Sequence, residues 1–183
     1  VLDSFKRLIS PSIETEIRNI LSEKAEDGAI AIFADNLKQL LMQAPIVGKV
    51  VLGWDPGFRT GCKIAVVDST GKVLDTTVIY PTPPKNQVKE AMAAIHKLIE
   101  KHKVDIIALG NGTASRESEK LISDYIHETK SKVQYVIVNE AGASVYSASK
   151  LATEEFPNFD TGERSSTSMA RRLQDPLAEL VKI

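Results

Sequence analysis

Val50-Val51-Leu52-Gly53-Trp54-Asp55-Pro56-Gly57-Phe58-Arg59-Thr60-Gly61, followed by the apolar run Cys62 to Val67, decides how this chain folds. An apolar run ends in a carboxylate, a Pro-Gly turn follows, and the chain returns as a second strand. Asp55 then stands at the mouth of a buried strand with its side chain available for chemistry. The plain alternative is a tight hairpin in which Asp55 only caps its own turn. Trp54 falls on the opposite face of the strand from Asp55, because successive side chains alternate. Core packing is its expected role; base stacking would require it to be exposed.

Downstream, strands and helices alternate. Val73 to Tyr80 is a third strand, joined to Cys62–Val67 by the turn Asp68-Ser69-Thr70-Gly71. Pro81, Pro83 and Pro84 end this antiparallel meander. Asn86 to His102 has helical spacing, with Val88, Met92, Ile95, Leu98 and Ile99 on its apolar face. Val104 to Leu109 is nearly all apolar, as expected of a central parallel strand, and Gly110-Asn111-Gly112 stops it. Ser115 to Thr129 reads as helix, Val133 to Val138 as strand, Ala143 to Glu155 as helix, and Ser165 to Ile183 as helix interrupted at Pro176. Three antiparallel strands followed by βα units give an α/β fold with a mixed sheet and helices on both faces. This is the ribonuclease-H-like topology, a class that opens with a metal-binding Asp on its first strand. The actin and sugar-kinase class uses the same opening turn to cradle phosphate.

Ahead of this domain, residues 1–49 form a helical segment. Ser10 suits an N-cap and Pro11 the first helical position. Ile13, Ile17, Ile20 and Leu21, then Ile30, Phe33, Leu37, Leu40 and Leu41, recur at helical spacing, and Gly28 marks either a break or a tolerated flaw. Pro45 and Gly48 end the segment, so the α/β domain is assigned to residues 50–183. The chain begins at Val1 without Met and stops at Ile183 within an amphipathic pattern, which reads as part of a longer protein.

Composition narrows the function classes. A net charge of -1 argues against tight, stand-alone, salt-driven nucleic-acid binding, and leaves weak binding or binding shared with neighbouring domains. One cysteine, Cys62, permits no internal disulfide and fits a reducing, cytoplasmic setting. No apolar run is long enough to span a membrane.

Ligands of mixed sheets gather beyond the carboxyl ends of the parallel strands. Asp55, the loop Gly110-Asn111-Gly112-Thr113-Ala114-Ser115 and the loop Asn139-Glu140-Ala141-Gly142 converge there, with Asp175 as a possible fourth contributor. Asp55, Glu140 and Asp175 could form a carboxylate cluster, the candidate catalytic and metal-binding set. Clustered carboxylates repel unless a cation or a proton neutralises them, and Mg²⁺ or Mn²⁺, hard ions that take oxygen ligands, are the natural partners. Two such ions could drive phosphodiester cleavage. Glu140 could equally face the N-terminus of the next helix, and Asp175 could be the N-cap of a last short helix with Pro176 at its first position. Arg59, Thr60, Asn111, Gly112, Thr113 and Ser115 are the candidate nucleic-acid or phosphate ligands, since Gly112 allows close backbone approach and a helix N-terminus follows. Thr113 and Ser115 could instead be helix caps. Arg59, Lys63, Arg116, Arg171 and Arg172 are the cations expected near this mouth. A nucleotide-phosphate binder of the actin type would use Asp55 to Thr60 and Asn111 to Ser115, but the sequence offers no second phosphate hairpin.

Val51-Leu-Gly-Trp-Asp-Pro-Gly-Phe-Arg-Thr-Gly61, Gly110-Asn-Gly-Thr-Ala-Ser-Arg-Glu117, Glu140-Ala-Gly-Ala-Ser-Val-Tyr-Ser-Ala148 and Ala170-Arg-Arg-Leu-Gln-Asp-Pro-Leu-Ala-Glu-Leu180 together resemble the Tex family of bacterial transcription accessory proteins. The helices from Arg18 to Lys49 resemble those that precede this domain in the family. The resemblance implies a YqgF-type, ribonuclease-H-like domain, with nucleic acid (RNA or DNA) and the transcription machinery as partners. Nucleic acid would be bound largely through neighbouring helix-hairpin-helix and OB-fold domains. It also places Asp55, Glu140 and Asp175 at the acidic motifs of YqgF-type domains. The related Holliday-junction resolvases carry a metal-binding Glu at the end of the fourth strand, where this chain has Gly110-Asn111. That departure favours a scaffold or binding domain over a metal-dependent nuclease.

Overall fold

Pro11 has no amide hydrogen to donate, and the helix ahead of it adapts. The computed structural model describes residues 2–183, in two compact units of residues 1–42 and 43–183. In the first, α1 (Leu2–Ser4) passes through a π-helical turn, Phe5–Ile9, into α2 (Ser10–Leu41). The Ser10 N–H donates five residues back, to the Phe5 carbonyl. Ser10 is therefore interior to a continuous helix and not the cap expected from Ser10-Pro11. Gly28 does not break α2; a single Gly costs a long helix only about 1 kcal/mol.

In the second unit, β1 (Val51–Asp55), β2 (Cys62–Val67) and β3 (Val73–Ile79) form the antiparallel meander, with Asp55 directly across from Lys63. α3 (Val88–His102) crosses over to β4 (Ile106–Gly110), which runs parallel to β1. α4 (Ser115–Thr129) leads to β5 (Gln134–Val138), parallel to β4. The sheet order is β3-β2-β1-β4-β5, the ribonuclease-H-like arrangement expected from the sequence.

The chain continues as α5 (Ala143–Ser147), α6 (Lys150–Glu155), α7 (Thr161–Gln174) and α8 (Pro176–Leu180). The single helix expected from Ala143 to Glu155 is split, because the Ser149 hydroxyl caps a new start by accepting from the Ala152 N–H at 3.1 Å. α7 begins four residues before the expected Ser165, at a capping box. The Asp160 carboxylate accepts from the Glu163 N–H (2.8 Å) and the Glu163 carboxylate from the Asp160 N–H (2.9 Å).

The two faces of β1 bury different partners. Leu52 and Trp54 join Ile64, Ile107 and Leu109 in a core closed by Ile95 and Ile99 of α3 and by Leu121 and Tyr125 of α4. Trp54 is fully buried there and is a core residue. Val51 packs with Val67, Ala108 and Ala170 under α7, so Gly53 and Asp55 face α7 as well. A β-carbon on Gly53 would lie 2.0 Å from the Ser166 carbonyl and 2.8 Å from the Ala170 nitrogen. Among the described residues, no helix is long and apolar enough to cross a membrane.

Both obstacles at Gly53 are backbone, so relief requires moving α7 bodily. Gly53→Ala is expected to lower unfolding free energy by about 3 kcal/mol, read as a shift in the urea midpoint. An unchanged midpoint would contradict the close packing.

Candidate functional site at the carboxyl end of β1

Asp55 ends β1 half-buried, with the Ser165 hydroxyl of α7 and the Lys63 ammonium close enough to favour its charged form. The Lys63 Nζ donates to Thr60 Oγ1 (2.5 Å) and to the Gly61 carbonyl (2.9 Å), which ties this cation to the β1–β2 turn. Its stem needs a glycine beside it: a β-carbon on Gly162 would lie 2.6 Å from Lys63 Cγ.

Glu140 reaches the same place from the loop after β5. A β-carbon on Gly112 would stand 1.7 Å from Glu140 Oε1, and one on Gly110 would stand 2.8 Å from Oε2 and 3.0 Å from Pro56. The Glu140 carboxylate thus fills the space that side chains at 110 and 112 would take, with the Gly112 N–H beside it favouring its charged form.

The backbone around Glu140 is fixed from two sides. Asn111 Oδ1 accepts from the Glu140 N–H (3.1 Å), and its own N–H donates to the Val138 carbonyl (3.1 Å). Arg172 of α7 is buried and its Nη1 donates to the carbonyls of Asn139 (2.8 Å) and Ala141 (2.7 Å), the residues either side of Glu140. Burial pulls the Arg172 guanidinium below its ordinary pKa, and the charges of Glu179 and Glu140 work against that.

Burial is also the main influence on the two acids. It raises Asp55, with the Ser165 hydrogen bond and Lys63 pulling the other way. It raises Glu140, helped by the negative charge of Asp55 and opposed by the Gly112 N–H and Arg172. The mutual repulsion places the two carboxylates in one electrostatic site.

Asp175 does not join them. It lies between α7 and α8, where its carboxylate accepts from the Ala178 N–H at 3.0 Å, with Pro176 opening α8. Its neighbour Gln174 donates to the carbonyls of Lys49 (3.0 Å) and Asp68 (2.7 Å), at the start of β1 and the β2–β3 turn. Ser165 touches Asp55, and ten residues of helix span about 15 Å, so Asp175 stands toward the opposite end of the sheet. The position facing Asp55 from α7 holds the Ser165 hydroxyl, for which the sequence carried no signal.

Of the other candidates, Thr60 is engaged by Lys63, while Arg59, Thr113 and Arg116 are exposed. Neither Thr113 nor Ser115 caps α4: the N-cap position is Ala114, in the left-handed region with no side-chain cap. Phe58, Asn111, Ser115, Arg116 and Ile137 line an open cleft of about 490 Å³ beside the carboxylates. Arg171 lies elsewhere, donating to Glu155 (2.5 Å) and the Gly71 carbonyl (2.8 Å).

The donor set does not fit a two-metal centre. Among the described residues, no three His, Cys, Asp or Glu side chains form a group able to hold a metal ion. Two carboxylates face two built-in cations, Lys63 and Arg172, and the third position is a neutral hydroxyl.

Both acids favour the neutral form in the fold, so their contribution to stability is complete below the ordinary carboxylate range, about pH 4. It is lost as pH rises through their raised values. Glu140→Gln keeps an acceptor for Gly112 and removes the charge. It should therefore raise Tm at pH 7, with the gain fading below about pH 4. A gain independent of pH would show that repulsion is not its source.

The Tex protein YqgF-like domain family matches residues 49–174. The uncharacterized protein YdcI of Bacillus subtilis is 61% identical over 181 residues, covering 99% of this chain and 25% of that protein. The transcriptional accessory protein Tex of Neisseria gonorrhoeae is 50% identical over 173 residues (94% of this chain, 22% of that protein). The human S1 RNA-binding domain-containing protein 1 is 44% identical over 184 residues (99% and 18%). A solved structure of Thermus thermophilus RuvC aligns with a TM-score of 0.41 at 18% identity, over 73% of this chain and 95% of that one. The chain spans a quarter or less of the length of these relatives. With the match running through the whole sheet and all of α7, the chain belongs to the Tex YqgF-like domain family.

Proposed function

We propose that this chain is a nucleic-acid-associated binding or scaffold domain of a Tex-type transcription accessory protein, without strong catalysis of its own. The observation that carries this is the composition of the carboxylate site. Asp55 and Glu140 meet Ser165, Lys63 and Arg172, where metal-dependent phosphodiester cleavage calls for further acids. The names of the relatives support the partner class: one is a transcriptional accessory protein, another carries an S1 RNA-binding domain. RNA or DNA is the partner, held together with other parts of a longer protein, and the cytoplasm is the setting.

The convergence of Asp55 and Glu140 favours one alternative, a Mg²⁺- or Mn²⁺-dependent nuclease. Labelled single-stranded RNA, single-stranded DNA and four-way-junction DNA, incubated with the chain in Mn²⁺ or in EDTA, separate the two. The binding domain is expected to retain oligonucleotide equally in both and to release no product. Mn²⁺-dependent cleavage that disappears in Asp55→Asn would establish the nuclease instead, and failure to retain any of the three would remove the binding role.

A further inference from the structure

The end of the sheet opposite Asp55 gathers four lysines around one pocket. Lys49 precedes β1, Lys103 follows α3, and Lys130 and Lys132 lie between α4 and β5. All four are exposed and line one open pocket of about 500 Å³, across the amino-terminal ends of β4 and β5. Two carboxylates answer them: Glu100 lies 3.3 Å from Lys103, and Asp105 lies 3.5 Å from Lys49. Among the described residues, Lys130 and Lys132 have no ion-pair partner.

Two of these lysines are held in an unfavourable backbone conformation. Lys103 (φ 53°, ψ 51°) ends α3 and Lys130 (φ 50°, ψ 34°) ends α4, both in the left-handed region where glycine is preferred. A helix carboxyl terminus favours a nearby cation, which accounts for a lysine in each last turn. It does not account for a lysine at the strained residue itself, at both helices of one pocket, nor for Lys49 and Lys132 beside them.

We propose that this basic pocket is the surface on which the chain takes the phosphate backbone of a single-stranded nucleic acid. This rests on the nucleic-acid-binding role proposed above and places the strand away from the carboxylates. Contacts of this kind are sequence-independent and salt-sensitive, and four lysines give the modest strength expected of a domain with a net charge of -1.

Fluorescence anisotropy with a labelled single-stranded RNA and its DNA counterpart, using the full chain across a salt series, tests it. Lys103→Glu/Lys130→Glu/Lys132→Glu should weaken binding at least tenfold at about 50 mM salt and flatten the log K against log salt slope by about 2 to 3. Arg7→Glu/Arg18→Glu, a charge reversal on exposed residues outside the pocket, should stay within about twofold of wild type. Lys103→Gly/Lys130→Gly guards against a folding artefact: it should raise Tm by relieving the left-handed lysines and still lose affinity. Binding that is intact in both lysine variants overturns the pocket and leaves the nucleic-acid role standing. A wild-type chain that binds neither strand overturns that role and the pocket with it.

Discussion

The contact of α7 with β1 at Gly53 governs the geometry of the site. With no side chain on Gly53, the Ser166 carbonyl and the Ala170 amide sit directly on the strand. Only at that distance does Ser165 reach Asp55 and Arg172 reach past the strand to the carbonyls around Glu140. Gln174 fastens the far end of the helix to the carbonyls of Lys49 and Asp68. One helix thus holds β1, the Glu140 loop and the β2–β3 turn in a single frame. Any side chain at position 53 would disturb all three.

Glycines recur where a polar group must come close. Gly110 and Gly112 leave a recess that the Glu140 carboxylate fills, and Gly162 leaves room for the Lys63 stem. The result is a pair of half-buried carboxylates raised mainly by burial, with Lys63 and Arg172 only partly offsetting it. Removing a carboxylate from water is costly unless it is paired. Here Lys63 stands by Asp55 and Arg172 behind Glu140. A divalent ion bound there would have to compete with both.

Much of the fold was legible in the sequence. The run from Val50 to Val67 marked a hairpin with a carboxylate at its mouth, and period-two and 3.6 patterns then set the sheet order. The failures have local causes. α5 and α6 separate at Ser149 because a hydroxyl competes for the backbone, and α7 starts early because Asp160 and Glu163 cap each other. Asp55 and Glu140 could be found because one ends β1 and the other follows β5 by two residues, at the same edge of the sheet. Asp175 fitted a three-acid motif, but Asp-Pro at a helix restart is a cap first, and the direction of α7 carries it away. Ser165 was invisible, since a serine within a helical stretch has no signature until the helix is laid across Asp55.

Charge is sorted along the strands and not merely between surface and core. The carboxyl end of β1 holds two acids, with the nearby cations Lys63 and Arg172 bonded to backbone and hydroxyl oxygens. The amino-terminal ends of β4 and β5 hold lysines of which two lack an ion-pair partner among the described residues. A polyanion meets the fewest repulsive groups by approaching the lysine end, because the nearest acids there, Glu100 and Asp105, are already paired. Approach from the other end would press phosphate against Asp55 and Glu140 with Lys63 already committed to the turn. The same sheet that brings the two acids together therefore separates them, by the length of its strands, from the cations a nucleic acid would seek.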